Sequence, residues 1–75
     1  MGKTMKQYAI VIYWYGNNYS AHSPDVPGCV ATGATIDETK ENIREALEFH
    51  IEGLRLAGLP VPEPSAQVAT VPIAA

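Results

Sequence analysis

Few side chains in this 75-residue sequence can do chemistry, and their placement decides which chemistries are open. They are two histidines, His22 and His50, one cysteine, Cys29, and eight carboxylates. Metal-dependent cleavage of a phosphodiester needs several carboxylates converging on two divalent ions about 4 Å apart. Asp25 stands between two prolines, Asp37 opens a helical pattern, and Glu41, Glu45, Glu48 and Glu52 recur on one helical face. The strand-like run KQYAIVIYWY carries no acid at all. The acids therefore read as a solvated face, and a vestigial nuclease is only a remote alternative. Two histidines without a third ligand make no zinc site, so neither metal nor cofactor is expected. Cys29 would need an activating base to act as a nucleophile, and no such pairing is legible. It reads as a small buried thiol. His50 falls in an apolar stripe, as a packed ring with one hydrogen bond, while His22 can face either side of its strand. Tyr13, Trp14, Tyr15 and Tyr19 flank a turn; without neighbouring cations they read as core and cross-strand pairs, not as a platform for single-stranded RNA. No catalytic residue is expected.

The elements that position these groups follow from local pattern. Residues 6–15 are β-branched and aromatic, and apolar on both faces, which predicts a strand central in its sheet. Gly16-Asn17-Asn18 makes a turn, and residues 19–23 return as an antiparallel second strand. Pro24-Asp25-Val26-Pro27-Gly28 reads as a shaped loop, because its prolines lack N–H donors. Asp25 there suits turn chemistry, its carboxylate capping nearby N–H groups; a rim contact to a basic partner is the other reading. Residues 29–34 form a third strand. Thr35 and Glu38 fit a capping box, and the helix is predicted to run to about Ala57, with Gly58 as the stop. Ile36, Ile43, Leu47, His50 and Leu54 form its sheet-facing stripe, edged by Ala46, Ile51 and Ala57. Phe49, Gly53 and Leu56 make a separate ridge, suited either to the proline-stiffened connector at 59–66 or to a helix–helix seam. Residues 67–73 are a candidate last strand, with Pro72 at its edge. Residues 1–5 read as a short flexible start.

Composition narrows the function classes. One domain spans 1–75. Eight acids against five bases give a net charge of −3, with no Lys/Arg run, so direct nucleic-acid binding is not expected. The apolar run at 9–15 is too short to span a bilayer, and no secretory pattern opens the chain. A single cysteine suits a reducing cytoplasm and cannot form an internal disulfide. A chain this small, with one helix for one sheet face, leaves an apolar face bare. Self-association as a dimer or tetramer is expected, through Ala9, Val11 and Tyr13 on that face or through Phe49, Gly53 and Leu56.

The order of motifs resembles the HicB antitoxin family, including its short HicB-like members. The likeness spans residues 8–71. It rests on Pro24-Asp25-Val26-Pro27-Gly28-Cys29, then Thr32-Gly33 and a threonine at the helix start, then Ala46-Leu47-Glu48 with Gly53-Leu54, and finally Pro60-Val61-Pro62-Glu63-Pro64. The resemblance implies an α+β, two-layer βββαβ domain of partial ribonuclease-H-like type, with sheet order 3-2-1-4 and one long helix on one face. It also implies a partner: a small basic HicA-like toxin, an mRNA interferase neutralised by steric occlusion. Contacts to that partner are expected from Pro24, Asp25, Pro27, Gly28, Glu45, Glu48 and Glu52. Many family members add a C-terminal DNA-binding module. This sequence ends at Ala75 after the candidate last strand, so operator binding is not expected of it. A standalone structural or regulatory homo-oligomer without a toxin is the alternative.

Overall fold

A computed structural model describes residues 5–75. The flexible start expected for residues 1–5 therefore lies, apart from Met5, outside the described residues. Three antiparallel strands form one sheet in the order β1-β2-β3: β1 (Val11–Trp14), β2 (Tyr19–Ser23) and β3 (Val26–Gly33). A single helix, α1 (Ile36–Leu56), covers one face of that sheet.

The first hairpin closes where Gly16 takes φ of +92°, a conformation open to glycine, and the Tyr15 amide donates to the Asn18 carbonyl at 2.9 Å. Trp14 then meets Tyr19 across the strands with ring centroids 4.8 Å apart. The β2–β3 connection is tighter than expected. Only Pro24 and Asp25 lie between the strands, and Val26, read as loop from the sequence, already pairs with Ser23. The ladder then skips from Ser23↔Val26 to His22↔Val30, so Pro27, Gly28 and Cys29 bulge out of register. A bulge on an edge strand removes the objection to proline, since Pro27 owes the ladder no N–H there. Gly28, at φ +84°, supplies the bend.

The helix keeps the predicted boundaries. The Thr35 hydroxyl accepts from the Glu38 amide at 3.0 Å. At the other end, the Leu59 amide donates to the Leu54 carbonyl and the Gly58 amide to the Arg55 carbonyl, with Gly58 at φ +71°. That pair of bonds is a Schellman stop. The start of the helix is locked to the end of β3: the buried Thr39 hydroxyl donates to the Thr35 carbonyl at 2.6 Å, and a Cβ on Gly33 would stand 2.5 Å from Thr39 Oγ1.

Ala21, Val26, Cys29, Ile43 and Leu47 form the buried core, with Tyr8, Ile10 and Ile12 packed at its side. The predicted stripe is narrower in fact. Ile43 and Leu47 are buried, His50 and Leu54 half-buried, and Ile36 exposed, because the helix begins beyond the sheet's covered area.

Two expectations are not met among the described residues. The first strand is expected to be central, yet β1 is an edge of the sheet among the described residues, and its ladder covers only Val11–Trp14. Residues 67–73, expected as a last strand, join no ladder among the described residues and are exposed throughout. The sheet thus shows the 3-2-1 part of the expected order, with the fourth position unfilled. The structure is α+β, with three strands and one helix among the described residues.

Candidate partner-binding surfaces

Asp25 does cap backbone amides, but not those of its own turn. Its carboxylate accepts the Ser65 hydroxyl at 2.9 Å, the Ser65 amide at 3.1 Å and the Ala66 amide at 3.0 Å. These bonds favour the ionised form and hold the carboxyl below its ordinary range, the Ala66 amide contributing most. Tyr8 adds a hydroxyl bond to the Pro62 carbonyl at 2.6 Å, and Lys6 pairs with Glu63 at 2.7 Å. The proline connector is therefore fastened at three points, to Lys6, Tyr8 and Asp25. Around this staple, Pro24, Pro27 and Gly28 are exposed and form a shaped rim.

The acidic helix face is less uniformly negative than its sequence suggests. Arg44 reaches both Glu41 and Glu48, and Arg55 approaches Glu52 at 3.9 Å. The Arg44 guanidinium depresses the Glu41 carboxyl through a direct hydrogen bond. Of the three glutamates expected at a partner surface, Glu48 and Glu52 carry cationic neighbours, while Glu45 has no ion pair among the described residues. All three are exposed.

The surfaces expected for self-association separate into two. On the sheet face away from α1, Tyr13 lies 6.1 Å from His22 with the rings nearly parallel, and His22 pairs in the ladder with both Val11 and Val30. Tyr13 is 51% exposed and Val30 60%; Ala9 and Val11 are half-buried. On the helix, Phe49 is 85% exposed and Leu56 81%, and a Cβ added at Gly53 would meet no atom within 4 Å. Among the described residues the ridge is thus largely open to solvent. Asn42, on the same flank, donates to the Thr32 carbonyl at 2.8 Å and places the ridge on the β3 side of the helix.

On the opposite flank of the helix, a groove of about 680 Å³ runs between α1 and residues 5–10. Tyr8, Ile10, Ile43, Leu47 and Ile51 supply its apolar surface; Lys40, Arg44 and Glu48 are among its charged lining. The sequence did not reveal it, because it exists only where the helix lies over β3 and β2 and leaves the outer edge of β1 uncovered.

The chemistry-bearing residues do not converge. His22 faces away from the helix that carries His50, so the sheet separates them. Among the described residues, no three His, Cys, Asp or Glu side chains gather as a metal site. Burial pushes the Cys29 thiol up, away from the reactive thiolate. No described helix is long and apolar enough to cross a membrane.

Known proteins resemble this chain in structure or in sequence. A chain of a solved structure, a HicA3 and HicB3 toxin–antitoxin complex, matches with a TM-score of 0.69 and 33% identity, covering 80% of this chain and 70% of that one. A UPF0150 protein of Thermoplasma acidophilum is 33% identical over 67 residues, 89% of this chain and 97% of the relative. A second UPF0150 protein, from Synechocystis, is 42% identical over 60% of this chain and 57% of its own length. A protein from the rep–hol intergenic region of Haemophilus phage HP1 is 45% identical over 63% of this chain but only 35% of its own length. The chain thus spans about a third of the phage protein and somewhat over half of the Synechocystis protein. Residues 8–72 match the family described as HicB_like antitoxin of bacterial toxin-antitoxin system. With nearly the whole chain inside that match, the protein belongs to the HicB-like antitoxin family.

Proposed function

We propose that this chain acts by binding, as a HicB-like antitoxin that neutralises a small basic HicA-like mRNA interferase by steric occlusion. The observation that carries this reading is its likeness to a chain of a toxin–antitoxin complex at 33% identity. Charge supports it: the net charge of −3 favours encounter with a basic partner, and Glu45, Glu48 and Glu52 present carboxylates on a rigid helix. Pro24, Pro27 and Gly28 supply an exposed rim, and Asp25 contributes by fixing its shape, since both of its oxygens are already engaged. On this reading the chain catalyses nothing itself, contacts no nucleic acid directly and works in the cytoplasm, where its one thiol stays reduced. On this reading a fourth strand beside β1, supplied by residues 67–73 of this chain or of a second copy, completes a partial ribonuclease-H-like sheet in the order 3-2-1-4.

Calorimetric titration with a HicA-like protein encoded beside the gene tests this. Binding at a fixed stoichiometry is expected, weakened by joint reversal of Glu45, Glu48 and Glu52 to Lys without change in oligomeric mass. Unchanged affinity in that variant removes the glutamates from the interface.

A second reading, a standalone homo-oligomer, is favoured by the exposure of Phe49 and Leu56. Its surfaces are Ala9, Val11 and Tyr13 on the uncovered sheet face and Phe49, Gly53 and Leu56 on the helix ridge. A Phe49→Glu variant with lowered oligomeric mass supports the ridge as a seam; an unchanged mass removes it.

A further inference from the structure

Among the described residues the outer edge of β1 and the apolar groove beside it are unfilled, while an apolar segment of the same chain stands exposed elsewhere. Val68, Val71 and Ile73 are 72%, 73% and 76% exposed. We infer that residues 67–73 of a second copy lie as a strand along the outer edge of β1 and fill the groove, each copy lending its segment to the other.

Three observations support exchange over closure within one chain. The first is the Asp25 staple. It fixes Ser65 and Ala66 at the β2–β3 turn. A strand outside β1 would lie about two and a half strand spacings from that turn, roughly 12 Å at 4.8 Å each. Consecutive Cα atoms are only about 3.8 Å apart, so about three residues would be consumed in getting back. Residues 67–69 cannot pair beside β1 in their own chain while the staple holds. The second is shape. The radius of gyration is 14.2 Å, against about 11 Å for a compact chain of this length, and the longest dimension is 47 Å. The segment extends outward instead of folding back. The third is chemical fit. Alternation sends Ala69, Val71 and Ile73 to one side of an extended strand, suited to the Ile43, Leu47 and Ile51 surface of the groove. Pro72 lacks an N–H, which an outermost strand tolerates.

The added strand also resolves the conflict in β1, whose sequence is apolar on both faces although the isolated chain leaves it at an edge. An uncovered edge beside apolar surface invites uncontrolled pairing, and a dedicated segment from a second copy closes it. Strand exchange requires no toxin, so it stands or falls separately from the antitoxin reading.

The test is isotope-filtered NOE spectroscopy on an equimolar mixture of labelled and unlabelled chains, with the mass measured by light scattering. Expected are intermolecular contacts from the Val71 and Ile73 methyls to Ile43, Leu47 or Ile51, and a mass at least twice the 8.1 kDa of one chain. The Val71→Asp variant should lose that association and keep its helical circular dichroism. A mass of one chain for the parent protein overturns the inference. So do purely intramolecular contacts between the segment and the groove, or intermolecular contacts confined to Phe49 and Leu56.

Discussion

Asp25 and Ser65, forty residues apart in sequence, are joined by two hydrogen bonds of 2.9 and 3.1 Å. That pairing turns a proline-rich connector into a fixed strap and decides from where the last residues of the chain depart. Substitution of Asp25 by Ala should abolish hydrogen-exchange protection of the Ser65 and Ala66 amides and leave the α1 amides protected. Retained protection at 65 and 66 would show that the strap is held by Tyr8 and Lys6 alone.

The same carboxylate gives a pH dependence of defined sign. Its folded pKa lies below the ordinary aspartate value of about 3.9, so its contribution to stability is fully present above that value. It is lost as the pH falls through the lower, folded pKa. Protection at Ser65 and Ala66 should hold from neutrality to about pH 4 and fail below it. Loss already at pH 6 would contradict the assignment.

Much of this fold was legible beforehand. Gly58 as helix stop, Thr35 as cap and Gly16 in the first turn all follow from local backbone chemistry, and each stands where expected. What failed depended on long-range partners. Nothing local to Val26 says that a bulge will let Pro27 sit in a strand, and nothing local to β1 says whether its outer neighbour comes from the same chain. Among candidate site residues, the exposure of Glu45, Glu48 and Glu52 followed from helical periodicity. The staple on Asp25 did not, because its acceptor and donors are separated by forty residues and joined only by the path of the connector.

Two glycines should respond in opposite directions. Gly33→Ala places a Cβ 2.5 Å from Thr39 Oγ1 and 2.8 Å from its amide nitrogen, and should destabilise by about 1–3 kcal/mol. Gly53→Ala meets open space on an exposed helical turn, and should stabilise by up to about 1 kcal/mol. Denaturant melts of both variants check this; equal effects would contradict the close approach of β3 to the helix start.

Core and ridge should separate just as clearly. Ile43 is 1% exposed, and Ile43→Ala should cost about 2–5 kcal/mol. Among the described residues the buried Ser23 hydroxyl has no hydrogen-bond partner, so Ser23→Ala should be neutral or stabilising by about 1 kcal/mol. A loss on Ser23→Ala comparable to that on Ile43→Ala would mean the hydroxyl has a partner after all.

The central claim is neutralisation by binding, and RNA cleavage measures it most directly. A HicA-like protein encoded beside this gene is assayed on RNA with increasing amounts of the pure chain. Cleavage should fall to background at a fixed molar ratio, and the Glu45, Glu48 and Glu52 triple reversal should need more protein to reach it. Cleavage that continues undiminished at a large excess of the chain would contradict the antitoxin reading.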